Sequence, residues 1–291
     1  MSRMGIDQEL LVRTNVIYNQ DCLTGLARLP AGCAQLVLTS PPYPGARPGR
    51  VPPARFLPWF IERAFALKRV LAERGNFFLN IDDCIVGGEE VGLVHRLALV
   101  LKEVVGLRLI ATYHWAKPNA MPGAYGPRLK DAHEFIFHFA RSLQPQVYRE
   151  ALSQPYRRQR PVGPAQLLSV SRRRSGRAMD GARMFRRGMG DPGNVFTIAV
   201  GGERSEHPTP MPMALARAFV QFGSAPGDLV VDPFAGGGTT LVAARDLSRA
   251  YVGFEIVPEY ARAARRRLRR RSPLPPVSPE GGSRPLLERR T

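Results

Sequence analysis

The chain has 291 residues, of which 44% are hydrophobic, so it can form one large α/β domain with a substantial core and a small insert. Its net charge of +18 and isoelectric point near 11.0 favour a polyanionic partner, DNA or RNA. Cys22, Cys33 and Cys84 show no metal-ligand or disulfide spacing, and neither a signal peptide nor a membrane-spanning apolar run is apparent. These features argue against a secreted, metal-binding or membrane protein and predict a cytoplasmic one.

Short apolar runs alternate with helical patterns along the chain, which is typical of an α/β protein. Strands are predicted over residues 14–20, 34–39, 76–81, 109–115, 134–140, 228–231 and 251–256, of which the fourth and fifth form an antiparallel pair. Helices are predicted over residues 60–71, 91–105, 212–222 and 241–247, and a last helix begins at Pro258. Residues 44–58 are predicted to form a loop, and the Pro/Gly/Ser/Arg-rich residues 272–291 a disordered tail.

Residues 143–193 have little regular pattern and are rich in arginine. Between residues 149 and 187 there are eleven arginines and two acids. One interpretation is a disordered basic linker; the other is a target-recognition insert whose arginines bind phosphates and read guanine edges. A second basic cluster, Arg262 and residues 265–271, lies on the last predicted helix and forms either a solvated face or a phosphate contact.

The sequence Thr39-Ser40-Pro41-Pro42-Tyr43 follows the second predicted strand. Each proline fixes its own φ and favours extended geometry in the residue before it, so the loop is stiff. The prolines lack an N–H, which leaves mainly carbonyl acceptors, and the tyrosine offers a flat face for stacking. These features suit a planar ring that carries an exocyclic amine, although most Pro-Pro pairs are only rigid turns.

A second motif, Asp232-Pro233-Phe234-Ala235-Gly236-Gly237-Gly238-Thr239-Thr240, lies between a predicted strand and a predicted helix. Such a glycine-rich turn lets the backbone approach a ligand at the start of a helix, or lets the strand pack tightly against the helix. The next strand ends in Glu255, at the position where a carboxylate commonly binds ribose hydroxyls. The combination predicts a nucleotide-type cofactor site.

Taken together, the two motifs resemble those of the β-class DNA amino-methyltransferases that use S-adenosylmethionine, in which the catalytic tetrapeptide precedes the cofactor loop. Shorter matches are Asn19-Gln20-Asp21, Trp115-Ala116-Lys117-Pro118-Asn119, His133-Glu134 and His207-Pro208-Thr209-Pro210. The resemblance covers roughly residues 14–142 and 194–270. It implies a Rossmann-like class I methyltransferase fold with a mixed seven-stranded sheet, one antiparallel strand and a circularly permuted motif order.

The domain organisation that follows is a catalytic half (residues 1–142), a target-recognition insert (143–193), a cofactor-binding half (194–271) and the tail (272–291). The implied catalytic residues are Ser40, Pro41, Pro42 and Tyr43. The implied cofactor contacts are Asp21, Thr209, Asp232, Pro233, Phe234, Gly236, Gly238, Thr239, Glu255 and Ile256. Candidate DNA contacts are Arg47, Lys117, Asn119, Arg157, Arg158, Arg172, Arg173 and Arg174.

The resemblance implies roles for these groups. Ser40 Oγ and the Pro41 carbonyl would accept hydrogen bonds from the amine of a flipped-out base, on which Tyr43 would stack. Asp21 would hold the adenine amine of the cofactor, or else serve only as a turn or cap residue. Lys117 and Asn119 would touch substrate or form a loop turn, while His133 would be structural and Glu134 would cap a strand.

In the family that the chain resembles, serine at the first position of the tetrapeptide is typical of enzymes that methylate cytosine N4, so the resemblance implies this target rather than adenine N6. Met211, where many adenine-type relatives have lysine, favours the same group. The alternatives are an adenine-N6 enzyme, an RNA or protein methyltransferase, and a catalytically silent DNA-binding protein. Expected partners are double-stranded DNA, a second copy of the chain and a cognate restriction endonuclease, in a bacterial or archaeal cell with association to the nucleoid.

Overall fold

The computed structural model describes residues 13–45, 51–123, 126–155, 189–190, 192–201 and 211–270. Its strands are β1 (Val16–Tyr18), β2 (Ala34–Thr39), β3 (Leu71–Ile81), β4 (Ile85–Val86), β5 (Glu89–Glu90), β6 (Arg108–Ala116), β7 (His133–Ala140), β8 (Gln154–Pro155), β9 (Met189–Gly190), β10 (Val195–Thr197), β11 (Leu229–Asp232) and β12 (Ala250–Phe254). Its α-helices are α1 (Cys22–Ala27), α2 (Pro53–Val70), α3 (Leu93–Glu103), α4 (Met213–Gly223), α5 (Thr239–Asp246) and α6 (Pro258–Arg269).

The main sheet of the described residues has the strand order β1-β12-β11-β2-β3-β7-β6-β10. Only β7 runs antiparallel to its neighbours, between β3 and β6. All seven predicted strands are present, the antiparallel pair is confirmed, and the eighth strand is the short β10, which pairs with β6. The cofactor-loop strands β11 and β12 lie between β1 and β2, so the chain order is permuted relative to the sheet order.

Helices cover both faces of the sheet, and the sheet separates the hydrophobic core into two clusters. Helices α1, α2 and α3 pack on one face, where the fully buried side chains include Phe56, Phe60 and Phe77. Helices α4 and α5 pack on the other face around Phe78 and Phe219. No helix in the described part of the chain is both long and apolar enough to cross a membrane.

The prediction of a loop over residues 44–58 was wrong from Pro53 onward, because α2 begins there. Proline is tolerated at the first helical position, where its missing N–H has no intrahelical partner to lose. Phe56 and Phe60 lie one turn apart and both are fully buried, so their burial stabilises the helix across Pro58.

The basic insert is described only at its two ends. The backbones of Gln154–Pro155 and Met189–Gly190 pair as antiparallel strands, which brings the ends of the insert together. On the near side, Gln146 and Tyr148 donate backbone hydrogen bonds to Arg74 and Phe222 of the sheet and α4, so this portion is anchored to the body. The predicted disordered tail lies outside the described residues.

Candidate active site

Polar side chains collect at one edge of the sheet. Strands β1, β2, β3, β6, β11 and β12 all end there, and the antiparallel β7 begins there. The polar residues at or just beyond these strand ends are Asn19, Ser40, Asp82, Lys117, Glu134, Asp232 and Glu255. In open α/β sheets this carboxyl edge is where ligands bind.

The Ser-Pro-Pro-Tyr segment follows β2 directly at this edge. Pro41 is buried, Pro42 is exposed and Tyr43 is half-buried. Ser40 Oγ donates to Tyr43 Oη at 3.1 Å, and the Tyr43 hydroxyl donates to Glu134 Oε2. Burial and then the Glu134 carboxylate raise the pKa of Tyr43 well above its ordinary value, so the hydroxyl keeps its proton at neutral pH.

Glu134 is the centre of this network. Its Oε2 also accepts from Asn80 Nδ2 at 2.9 Å, and its Oε1 lies 2.7 Å from Lys117 Nζ. The Lys117 and Glu134 side chains are 13% and 11% exposed, so the pair is largely screened from water. Asp82 lies 3.7 Å from the same ammonium, and burial raises the pKa of Asp82 to about 6 although Lys117 opposes the rise.

A buried hydrogen bond links the two sequence motifs. Thr39 Oγ1, at the end of β2, donates to Asp232 Oδ1 at 2.7 Å, at the end of β11. The same oxygen accepts the backbone N–H of Phe234 at 3.1 Å. Burial raises the pKa of Asp232 to about 6, against the opposing effect of these hydrogen bonds. The first residues of the two motifs are thus bonded to each other.

The glycine turn combines positive dihedral angles with close packing. Gly236 and Gly238 have φ of 48° and 79°. A Cβ on Gly238 would lie 2.9 Å from the Cβ of Ala264 on α6. At Gly238, therefore, tight packing against a helix is sufficient to require glycine.

Glu255 lies buried at the end of β12, with both carboxylate oxygens held by backbone groups. Gly236 N–H donates to Oε2 and Val257 N–H to Oε1, each at 2.8 Å. Burial raises the pKa of Glu255 despite these donors. The next side chain, Ile256, is 65% exposed. A carboxylate beside an exposed apolar side chain is suited to a ligand with hydroxyls next to a flat apolar ring.

Asp21 caps helix α1, since its Oδ1 accepts the Leu23 N–H at 2.8 Å. Asp21 thus has a capping role, and its side chain, 37% exposed, remains partly open at the edge of the sheet. Its Oδ2 lies 3.4 Å from Arg63 of α2. The Arg63 guanidinium is 4.3 Å from the centre of the Trp59 ring, and its buried Nε has no hydrogen-bond partner among the described residues.

Two of the candidate DNA contacts are described. Lys117 lies inside the Glu134 network rather than on an open surface. Asn119 forms two 2.7 Å hydrogen bonds with the backbone of Val200, donating to its carbonyl and accepting its N–H, so it joins two loops. The other candidate DNA contacts lie outside the described residues; they are Arg47, Arg157, Arg158, Arg172, Arg173 and Arg174. The cofactor candidate Thr209 also lies outside them.

Two arginines of α6 dock that helix against the rest of the domain. Arg265 donates to the Ile17 carbonyl of β1 at 3.0 Å. Arg267 donates to the Gly237 carbonyl and to Thr239 Oγ1, which fixes α6 against the glycine turn. Arg265 and Arg267 therefore differ from both predictions, since they bond to the protein itself and not to solvent alone.

Sequence reasoning missed Asn80, Asp82 and Arg63. Asn80 and Asp82 lie at and just beyond the end of a predicted strand, on the edge where Ser40 was expected, and that placement was a usable signal. Arg63 gave no signal, since it lies in the middle of an amphipathic helix.

One further group of possible metal ligands exists among the described residues. Asp83, Glu90 and His95 have ligand atoms within 4.8 Å of one another. Asp83 Oδ1 already accepts the Cys84 and Leu93 N–H groups, so its carboxylate is occupied in ordering the start of α3.

Comparison with known proteins identifies a family. Residues 34–266 match the N6_N4_Mtase family, described as DNA methylase. The Type II methyltransferase M.XycI of Xanthomonas campestris pv. cyanopsidis is 29% identical over 298 residues, covering 90% of each chain. The Type II methyltransferase M.PvuII of Proteus hauseri is 24% identical over 274 residues, covering 85% of this chain and 82% of that protein.

Solved structures with similar folds agree. The PvuII DNA methyltransferase (cytosine-N4-specific) superposes with a TM-score of 0.67 at 22% identity, covering 86% of this chain and 85% of that one. A putative DNA modification methylase from Thermus thermophilus, in complex with S-adenosyl-L-methionine, gives a TM-score of 0.59 at 26% identity, covering 87% of this chain and 92% of that one.

Proposed function

This chain belongs to the N6/N4 family of site-specific DNA methyltransferases, which use S-adenosylmethionine, and we propose that its target is the N4 amine of cytosine. Serine at the first position of the tetrapeptide favours cytosine, as the resemblance implies, and the hydrogen-bonded state of Ser40 supports an exocyclic amine as the methyl acceptor. Its hydroxyl hydrogen is directed to Tyr43, which leaves the serine oxygen as an acceptor at the carboxyl edge. The similar PvuII enzyme, named as cytosine-N4-specific, supports the same target.

The residues of the glycine-turn half suit S-adenosylmethionine. Gly236 N–H donates to one oxygen of the Glu255 carboxylate and Val257 N–H to the other, and ribose hydroxyls would donate to its remaining lone pairs. Ile256 would lie against the adenine ring and Asp21 would bind its amine. The turn formed by Asp232 to Gly238 would hold the methionine portion. When bound, the cofactor supplies a methyl group activated by a sulfonium.

The Ser40 segment acts on the amine of the base. That nitrogen is a poor nucleophile because its lone pair is delocalised into the ring. Ser40 Oγ and the Pro41 carbonyl would accept its two N–H groups, which directs the lone pair away from the ring plane and eases loss of a proton. The base must leave the duplex to reach these acceptors, and Tyr43 would stack on it there.

DNA binding is proposed to depend on the basic insert. We assign residues 1–142 and 194–271 to the two halves of the methyltransferase domain, 143–193 to target recognition and 272–291 to a tail. Arginine is suited to both phosphate contact and guanine readout. Replacing Arg172, Arg173 and Arg174 together with glutamine should weaken DNA binding and leave the affinity for S-adenosylmethionine unchanged. A homodimer and a partner endonuclease stay predictions from the resemblance.

The test of the target is nucleoside mass spectrometry of unmethylated DNA after incubation with the protein and S-adenosylmethionine. N4-methylcytosine is expected, and Ser40→Ala should lower its rate of formation by about 10²-fold, as for loss of one group that stabilises a transition state. Ser142→Ala, on a surface turn, is the matched control and should leave the rate unchanged. N6-methyladenine as the product would contradict the cytosine assignment, and product only on RNA would contradict the DNA target.

A further inference from the structure

A directed chain of hydrogen bonds leads from Ser40 to a buried carboxylate. Ser40 Oγ, Tyr43 Oη and Glu134 Oε2 contact one another in that order. An ionised carboxylate can only accept, so the single hydroxyl hydrogen of Tyr43 points to Glu134. Tyr43 Oη then accepts the hydrogen of Ser40. The charge of Glu134 therefore decides that Ser40 meets the substrate as an acceptor.

Lys117 forms an ion pair with Glu134. Its ammonium lies 2.7 Å from Oε1, while Asn80 and Tyr43 donate to Oε2. Among the described residues, the Asp82 carboxylate lies 3.7 Å from the same ammonium, and the charge of Asp131 acts on Asp82 in turn. These groups come from β3, β6, β7 and the loop after β2, which are the elements that meet around Glu134. His133, the neighbour of Glu134 in the chain, is exposed.

Stability alone is a poor explanation for this cluster. A buried ion pair adds little net stability, because the desolvation of both charges offsets their attraction. The cluster also lies at the carboxyl edge, within two hydrogen bonds of the serine oxygen. Its position connects a proton acceptor to the atom that would contact the target amine.

We propose that Glu134 is a positioning residue for methyl transfer, which orients Ser40 as an acceptor and receives, through Tyr43, the proton that the amine releases. This inference rests on the role proposed above for Ser40 at the amine. It extends the function of the Ser-Pro-Pro-Tyr segment to a residue ninety-four positions further along the chain.

Protons and electrons balance in this scheme. The amine nitrogen uses its lone pair to bond to the methyl carbon, whose bond to sulfur breaks with its electron pair left on sulfur. As that bond forms, the nitrogen gives one proton to Ser40 Oγ, Ser40 gives its own proton to Tyr43, and Tyr43 gives its proton to Glu134. Serine and tyrosine end unchanged, and Glu134 ends as a neutral carboxylic acid that later loses the proton to solvent.

The decisive experiment measures single-turnover methyl transfer by the full-length chain and by Glu134→Gln. The substrate is DNA that the wild-type protein methylates, with saturating S-adenosylmethionine. Glu134→Gln should lower the rate by about 10²-fold, the usual contribution of one positioned proton acceptor. The affinity for S-adenosylmethionine, measured by calorimetry without DNA, should be unchanged. Glu134→Asp should recover part of the rate, because it restores the charge.

A solvent isotope measurement separates this role from a structural one. In mixtures of H₂O and D₂O, the wild-type rate should fall along a curve as the deuterium fraction rises, because more than one proton moves in the step. Glu134→Gln should lose that curvature. The matched control is Asp246→Asn. The Asp246 carboxylate lies 2.8 Å from the Arg217 guanidinium and is not part of the Glu134 network. This variant should keep the wild-type rate and curvature.

Tyr43→Phe tests the same chain without disturbing the ion pair. It keeps the ring and removes the hydroxyl, so it should lower the rate about as much as Glu134→Gln, and the double variant should lose no more than either single variant. An unchanged single-turnover rate in Tyr43→Phe, or in a folded Glu134→Gln protein, overturns the inference.

The identity of the methylated base decides a separate question. Methylation of adenine overturns the proposed cytosine target but not this inference, because either amine releases one proton. The ratio of the Glu134→Gln rate to the wild-type rate then still tests the role of Glu134. A wild-type protein that binds S-adenosylmethionine but methylates no DNA overturns both.

Discussion

The two halves of the carboxyl edge hold their carboxylates in different ways. Near Ser40, Glu134 is bound by side chains from other strands, including the Lys117 ammonium. Near the glycine turn, Asp232 and Glu255 are bound by backbone N–H groups and a threonine hydroxyl, and in the described residues neither has an ion-pair partner.

This difference separates two ways to keep a buried acid. In the Ser40 half a cation compensates the charge, so stability there depends on one lysine. In the glycine-turn half the backbone compensates only in part, and burial raises the pKa of Asp232 to about 6 and also that of Glu255. The first arrangement should fail when its cation is removed, and the second should respond to pH.

The largest effect is expected for Lys117→Met. Removal of the ammonium leaves the Glu134 and Asp82 carboxylates without a cationic partner, which should lower the free energy of unfolding by about 3–5 kcal/mol at pH 8. It also removes the charge that lowers the pKa of Asp82, which should rise above about 6. Protonation of Asp82 then relieves part of the loss, so the deficit should shrink from pH 8 to pH 5. Urea unfolding at both pH values measures this.

The control for that variant is Arg128→Met. Arg128 and Asp131 form an exposed pair at 3.1 Å, with side chains 30% and 53% exposed. Its loss should change the free energy of unfolding by less than about 1 kcal/mol. Equal losses in the two variants would show that the Glu134 cluster is not compensated by Lys117 in the way the contacts indicate.

Asp232→Asn should raise the free energy of unfolding, whereas Lys117→Met lowers it. The folded-state pKa of Asp232 is raised from 3.8 to about 6, so the folded protein binds more protons than the unfolded chain between those values. The wild-type stability due to this group therefore falls as pH rises from about 4 to 6. Above that range, the full cost of burying the ionised carboxylate is present. Asparagine keeps the Oδ1 acceptor for Thr39 and Phe234 without the charge.

The expected gain is at most about 3 kcal/mol at pH 8, from the size of the pKa change, and close to zero at pH 4. Thermal or urea unfolding of both proteins across pH 4–8 gives the difference curve. A constant difference across this range, or a loss at pH 8, would contradict the assignment of a buried, partly compensated charge.

The same comparison explains which features the sequence could predict. The strands, the glycine turn and Glu255 were predictable, because apolar runs and local turn chemistry determine them within a few residues. The Glu134 network was not, since it depends on β7 inserting antiparallel between β3 and β6 and bringing residues 43, 80, 117 and 134 together. Glu134 was expected only to cap a strand.

Prolines misled the sequence reasoning in the segment after Tyr43. The run from residue 44 to 58 was predicted to be loop because of its prolines, yet Pro53 begins α2 and Pro58 lies inside it. The competing signal was the four-residue spacing of Phe56 and Phe60, which are both fully buried. Burial of two aromatic side chains outweighs one lost backbone hydrogen bond.

Gly238→Ala tests whether close packing or backbone conformation requires glycine in the glycine turn. Its φ of 79° disfavours any side chain, and the added Cβ would lie 2.9 Å from that of Ala264. Gly227→Ala is the matched control, because Gly227 has φ of 87° and, apart from its chain neighbours, no atom of the described residues lies within 4 Å of an added Cβ. Both should be destabilised by dihedral strain, and Gly238→Ala by about 2 kcal/mol more from overpacking. Equal losses in urea unfolding would assign Gly238 to backbone conformation alone.

The smallest effect is expected for Asn19→Ala, which loosens the end of β12. Asn19 Nδ2 donates to the carbonyls of Glu255 and Ile256 at 2.8 and 3.1 Å. Its loss should lower stability by about 1 kcal/mol and weaken binding of S-adenosylmethionine, since Glu255 is less firmly placed.

Asn15→Gly is the control for Asn19→Ala at the opposite end of the same strand pair. Asn15 Oδ1 accepts the Tyr251 N–H at 3.3 Å, and glycine tolerates its φ of 60°. A similar loss of stability without a change in cofactor affinity is expected there. If both variants bind S-adenosylmethionine as the wild type does, Glu255 is held by Gly236 and Val257 alone, and the backbone of the glycine turn is sufficient to place it.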